Sequence, residues 1–280
     1  MKIGLSLGGG GARGYAHIGA IRALTEAGIP IDIVNGTSIG AVMGGGYALY
    51  KDVDKLTVLI RQVIGNVNIN YFNIFNHKSE SQTFLRNWLT EAVCDIASLR
   101  NSIQSHRHNL KALRAIFGEH TFADTKIPFS AVAHDLIAGE TVVIRRGKLV
   151  EGILPSVAIP GIFPPVARGK RLLVDGYVLA NIPVHELREQ GADFIISIAL
   201  DSTEEATYQN GLNLLNGIEA MKQHRLERWA IAESDFHIRI NFKNYAPERF
   251  DNYATAIELG YSITTRAIPR LLRRFEKSGR

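Results

Sequence analysis

Cysteine is almost missing from this chain of 280 residues, with Cys94 the single example. That excludes a disulfide framework and a cysteine-ligated zinc site. Cys94 lies within the apolar run EAVCDIASL and reads as a buried helical residue rather than a nucleophile. Long hydrophobic runs are missing as well: Asp, Asn, Gly or Pro interrupts each apolar stretch short of the ~18 residues a membrane span needs. Only Lys2 precedes the KIGLSL run, and no small-residue cleavage site follows it. Neither a signal peptide nor a transmembrane helix is expected, and a cytoplasmic location is the default expectation.

The chain also lacks a Pro/Ser/Gly linker, a low-complexity tract and internal repeats, which favours one domain over two. No nucleic-acid-binding motif is present, and a net charge of +5 is too modest to argue for such a partner. The positive excess gathers in TTRAIPRLLRRFEKSGR, where Leu, Ile and Phe separate the charges. One reading is a solvated helix packing Ile268, Leu271, Leu272 and Phe275 on the domain. The other is peripheral membrane contact through anionic phospholipid headgroups.

What is present is a substantial apolar fraction, 46% of residues, enough for a sizeable core. KIGLSL reads as a buried strand and AHIGAIRALTEAG as an amphipathic helix ended by Gly28; IPIDIVNG and SIGAVMGGGYALY repeat the pattern. This alternation predicts an α/β fold with parallel strands and crossover helices. A polar stretch of helical pattern from about residue 51 to 120 reads as an insertion. Strand signals return at KIPFSAVAHDL and ETVVIRRGKL, with a hairpin around Ala138, Gly139 and Glu140, and again at KRLLVDG, DFIISIAL and DFHIRINF. The expected organisation is a single domain over 1–280, with its core at about 3–201 and a C-terminal extension over 202–280.

The stretch LGGGGARG places Gly9, Gly11 and Gly14 at the spacing of a dinucleotide-binding loop, between a strand and a helix. The acidic partner would be Asp32, but it falls at the start of the second strand, whereas ligands bind beyond strand carboxyl ends. A phosphate-binding P-loop fails because no Gly-Lys-Ser/Thr follows. Free N–H groups, a helix N-terminus and Arg13 remain, and together they make an anion site.

The second strand ends in Gly36-Thr37-Ser38-Ile39-Gly40, a G-x-S-x-G that runs at once into a helix. In that context the tight turn presents the serine hydroxyl at the top of the sheet, and Gly36 and Gly40 let strand and helix approach. The competing explanation is a serine N-cap. An anion site beside an exposed serine meets the need of an oxyanion hole. A serine nucleophile also needs a base. His17 lies on the packing face of the first helix; His134 and His185 lie near strand or loop ends. Asp175, closing the apolar strand LLVDG ahead of Gly176, is the stronger candidate, although an Asp there is also an ordinary turn former.

Taken together, GGGGARG, GTSIG, PGIFPPV and the later DG resemble the patatin-like phospholipases, in the bacterial branch similar to the neuropathy target esterase catalytic domain. The resemblance runs from Lys2 to about Asp201. It implies a patatin-like three-layer α/β sandwich with a mostly parallel central sheet. It further implies a Ser–Asp dyad of Ser38 and Asp175, an oxyanion hole from Gly10, Gly11 and Arg13, and hydrolysis of a lipid acyl ester. No metal or cofactor is expected. Tyr177, where the family usually has Gly or Ala, and His134, where it commonly has Thr, depart from the pattern. Two rival functions are a Ser-His-Asp α/β-hydrolase using His185 or His134 and a dinucleotide-binding protein; a third is a non-catalytic scaffold with the same fold.

Overall fold

A computed structural model of the chain describes residues 1–66, 102, 104–201, 211–242 and 253–278. Cys94 and much of the expected insertion lie outside the described residues. The strands are β1 (Ile3–Leu7), β2 (Ile33–Thr37), β3 (Phe129–Asp135), β4 (Glu140–Ile144), β5 (Val166–Arg168), β6 (Arg171–Asp175), β7 (Phe194–Asp201) and β8 (Phe236–Asn241). The α-helices are α1 (Tyr15–Glu26), α2 (Ile39–Tyr50), α3 (Val53–Asn66), α4 (Arg107–Phe117) and α5 (Leu149–Ile153). After these come α6 (Tyr177–Ala180), α7 (Val184–Glu189), α8 (Gly211–Glu233) and α9 (Tyr253–Ser278).

The strands form one sheet in the order β5-β6-β3-β2-β1-β7-β8, with β4 also paired to β3. From β8 to β3 the neighbours run parallel, so each needs a crossover helix. A central parallel strand is covered on both faces and therefore has a nearly continuous apolar sequence, as FIISIAL does in β7. Alternate side chains feed different cores. Val34 and Ile196 join the larger one under α1, α2 and α9, while Ile33 and Ile195 join a smaller one with Val184, Leu187 and Ala230 of α7 and α8. The result is the expected α/β sandwich of helices, sheet and helices.

Two details differ from the sequence reading. The strand beginning at Glu140 stops at Ile144, and Leu149, expected within it, starts α5. β6 and the short β5, which the pattern did not suggest, enter antiparallel: β5 pairs with β6, and β6 with the last three residues of β3. Burial of Leu173 and Val174 at the sheet favours the pairing without a crossover helix, because the hairpin turn at Gly169 brings β6 in from the edge.

The basic C-terminal stretch is part of α9, which lies along α1. Leu271 is buried, the Phe275 ring sits 4.4 Å from that of Phe194, and Leu272 is 43% exposed. The apolar residues between the charges thus mostly face inward. Leu271→Ala should lower the unfolding free energy by about 3 kcal/mol through transfer and cavity terms. Urea denaturation checks this, and an unchanged midpoint would show that α9 is not an integral part of the core.

Candidate functional site

The site forms where β2 ends and α2 begins. Ser38 connects them with φ 57 and ψ −127, a backbone conformation rarely adopted by a residue with a side chain. The sharp turn needs bare backbone on both sides of it. A Cβ on Gly36 would stand 2.4 Å from the Gly40 carbonyl, and one on Gly40 would stand 2.2 Å from the Leu7 carbonyl oxygen. The turn is anchored from a distance by Ser156. Its hydroxyl donates to the Val132 carbonyl at 2.6 Å and accepts the Ser38 N–H at 2.9 Å. Ser38 itself is only 8% exposed.

The glycine loop leaves β1, the neighbour of β2, and lies against the same turn. A Cβ on Gly9 would be 3.3 Å from the Ser38 Cβ. The loop is held by specific bonds. Gly8 N–H donates to the Ile198 carbonyl at 3.0 Å, and Gly9 N–H donates to the carbonyl and side-chain oxygens of Asn181, each at 3.1 Å. Asn181 in turn donates its amide to Glu227 of α8 at 2.6 Å. The Gly8 carbonyl accepts from Nε2 of buried His17 at 2.8 Å, and burial pushes that imidazole down to about 4, so it is neutral. The Arg13 Nε donates to the Gly10 carbonyl at 3.1 Å. Gly11 has φ 57, and a short helical turn from Gly11 to Gly14 leads into α1. Among the described residues no hydrogen-bond acceptor takes the N–H of Gly10 or Gly11. Those are the two backbone donors singled out from the sequence.

Asp175 ends β6 and is fully buried. Its own N–H donates to the Ala158 carbonyl at 2.9 Å, and its Oδ1 accepts the Tyr177 N–H at 3.0 Å. Burial pushes the carboxyl up to about 7, against the opposing pull of the Ser38 hydroxyl and the Tyr177 N–H, both of which favour the charged form. The Ser38 side chain is thus close enough to influence the carboxyl, yet among the described residues Oδ2 has no partner in regular hydrogen-bond geometry. Long or poorly aligned bonds of this kind are common in sites without substrate. Gly176 then leads into α6.

Three separated stretches of chain therefore meet at one place, and all three lie within the part of the chain that matches a known family. Residues 5–188 match the patatin-like phospholipase family model. The chain belongs to that family. An NTE family protein of Mycobacterium tuberculosis (strain ATCC 25618 / H37Rv) is 36% identical over 205 residues, covering 72% of this chain and 50% of its own length. The neuropathy target esterase sws of Drosophila melanogaster is 32% identical over 218 residues, covering 77% of this chain and 14% of its own. The chain thus spans half or less of these relatives. Among solved structures, VipD from Legionella pneumophila superposes with a TM-score of 0.52 at 17% identity, over 96% of this chain and 67% of that one. It shares the patatin-like fold.

Against this patatin-like frame the alternatives lose their residues. His134 pairs with Val174 while Ala133 pairs with Asp175, so strand alternation turns His134 to the opposite face of the sheet from Asp175. His185 is exposed and lies 3.5 Å from Glu189 and 3.3 Å from Glu233. No histidine among the described residues bonds Ser38. Asp32 accepts the Ile3 N–H at 2.7 Å, at the amino ends of the strands, where it stitches β1 to the chain entering β2 instead of reaching a ribose. Tyr177 is partly buried, and its phenol is pushed up by that burial and by the Asp175 and Glu219 carboxylates. Ser156 and Asn181 were not singled out from the sequence; their only signal is a polar residue in the apolar runs PSVAIP and LANIP.

The raised carboxyl has a stability consequence. A group whose pKa is about 7 in the fold and 3.8 when exposed binds its proton more tightly in the fold. Its contribution is therefore complete below the exposed value and is lost as pH rises through 7, to a cost of roughly 4 kcal/mol. Asp175→Asn should raise the Tm at pH 8 by about 7 °C, with the gain shrinking toward pH 4. Thermal melts across that range check it, and a difference independent of pH would contradict the raised carboxyl.

Proposed function

We propose that this chain is a serine hydrolase of lipid acyl esters, of the phospholipase A or lysophospholipase type, using Ser38 as nucleophile and Asp175 as general base. The observation that carries the reading is the juxtaposition of a strained, nearly buried Ser38 with a fully buried carboxyl whose pKa lies near 7. An ordinary aspartate is too weak a base for a hydroxyl, whereas one near neutrality is matched to the task. Family membership and the names of the relatives support the substrate class.

The steps follow from the positions. Ser38 Oγ attacks the ester carbonyl carbon while its proton passes to Asp175 Oδ2. The carbonyl π electrons move onto oxygen, and the resulting anion is met by the Gly10 and Gly11 N–H groups, by the N-terminus of α2 and by the positive field of Arg13. Collapse of the tetrahedral intermediate expels the alcohol oxygen, which takes the proton back from Asp175. Water then attacks the acyl-enzyme with Asp175 again accepting the proton; collapse breaks the acyl–Oγ bond, Ser38 Oγ takes that proton back from Asp175, and the fatty acid leaves. His17 and Asn181 serve this sequence by holding Gly8 and Gly9, so that the next two N–H groups stay directed at the reacting oxygen.

Ser38→Ala should abolish both labelling by a fluorophosphonate probe and release of fatty acid from a panel of phospholipids, lysophospholipids and short-chain esters. Asp175→Asn should lower turnover by about 10⁴-fold with the fold intact. Labelling that survives Ser38→Ala removes that residue from the role, and turnover retained by Asp175→Asn requires a different base.

A further inference from the structure

We propose that the end of the sheet carrying Ser38 is a docking face for an anionic phospholipid bilayer, with the β3–β4 hairpin tip as its apolar anchor. The inference rests on the lipid-hydrolase reading and adds to it the surface through which the substrate is reached. Leu136 is 48% exposed and Ile137 69% exposed, at the tip of a tight turn. The turn is rigid. Gly139 N–H donates to the Asp135 carbonyl at 2.8 Å, Ile137 N–H to the Asp135 carboxylate at 3.0 Å, and Leu136 N–H to the Leu172 carbonyl at 2.9 Å. With the backbone pinned in this way, the two aliphatic side chains are held outward in water.

The tip's direction follows from register. β2 and β3 are parallel and Val132 stands opposite Thr37, the residue before Ser38. Four residues further along, Leu136 has travelled about 13 Å past that level, so the tip projects from the same end of the sheet as the nucleophile. A second apolar element flanks the site from the other side. Leu179 of α6, just beyond Asp175, is 43% exposed, and Leu215 and Ile218 on the first half of α8 are 65% and 44% exposed. This half of α8 is held beside α6, since Gln223 donates to the Val178 carbonyl at 3.1 Å and Glu219 lies near enough to perturb Tyr177.

Charge identifies the occupant. The β5–β6 turn next to the hairpin tip presents Arg168, Lys170 and Arg171, all exposed. Arg171 lies 3.7 Å from Asp135 and 3.5 Å from Glu140, whereas Arg168 and Lys170 form no ion pair among the described residues. Aliphatic side chains at a tip with cations beside them match a bilayer, where the chains enter the acyl boundary and the cations meet headgroup phosphates. The location matches as well, because an ester carbonyl must leave its bilayer to reach a serine that is only 8% exposed. The basic C-terminal segment is a poorer match, since its Leu271 and Phe275 pack inward on the domain.

The test is co-sedimentation of the Ser38→Ala protein with phosphatidylcholine vesicles, with and without phosphatidylglycerol. Binding should require the anionic lipid and weaken with salt. Adding Leu136→Ser and Ile137→Ser should weaken it about tenfold or more, and Arg168→Glu with Lys170→Glu should weaken it comparably by a separate route. With Ser38 restored, both double variants should keep the wild-type Tm and the wild-type rate on a water-soluble short-chain ester. Absence of vesicle binding, equal binding to neutral vesicles, or unchanged binding by the tip variant would each overturn the docking face. So would a parallel loss on the soluble ester. Anionic-vesicle binding that depends on the tip, in a protein that hydrolyses no ester, would support the docking face and overturn the hydrolase reading alone.

Discussion

Burying the Asp175 carboxyl at the carboxyl end of β6, a strand inside the sheet, costs stability at neutral pH. The carboxyl is fully buried, its Oδ1 is satisfied by one backbone N–H, and its Oδ2 has no regular partner among the described residues. A buried polar atom left without a partner is unfavourable on folding grounds alone. In the proposed mechanism the neighbouring Ser38 hydroxyl is the proton donor that this oxygen receives. Strain in the Ser38 backbone adds to the same local cost, and the large core on one face of the sheet provides the stability that offsets both.

The proposed reaction also requires that donors stay aimed at an oxygen that carries charge only briefly. Such donors are most effective when nothing has to reorganise as the charge forms. In the loop after β1 the first N–H groups are used for structure, and those of Gly10 and Gly11 meet no acceptor among the described residues. Gly8 and Gly9 are tied to Ile198 and Asn181, and the Gly8 carbonyl is held by a neutral imidazole. The glycines thus serve a rigid loop. A dinucleotide site would instead need an acidic side chain at the carboxyl ends of the strands, whereas Asp32 is at the other end, bonded to Ile3.

Much of this was readable from local pattern. A serine between two glycines, placed between an apolar run and a helix, defines its own turn, because the close approach of Gly36 to Gly40 is a property of neighbouring residues. The β7 run FIISIAL announces a strand buried on both faces. Other features depend on residues far apart in sequence. Ser156 is 118 positions from the N–H that it accepts, and Asn181 is 172 positions from Gly9. Nothing near either residue marks it. The two roles open to Asp175, turn former or base, could not be separated locally either, since burial of the carboxyl is decided by β3 and by the segment around Ala158. The antiparallel entry of β6 was hidden for a similar reason: strand direction is set by the connection, and the short β5 before it carries little pattern.

The proposed chemistry depends on one titration, that of the Asp175 carboxyl in the free protein. The most direct measurement is kcat/KM for a water-soluble ester as a function of pH. The expected profile has a single acidic limb with an apparent pKa near 7, because the proposed base must be ionised to accept the Ser38 proton. A rate that stays level down to pH 5, well below that ionisation, would contradict it, as would an acidic limb that disappears when a histidine is replaced.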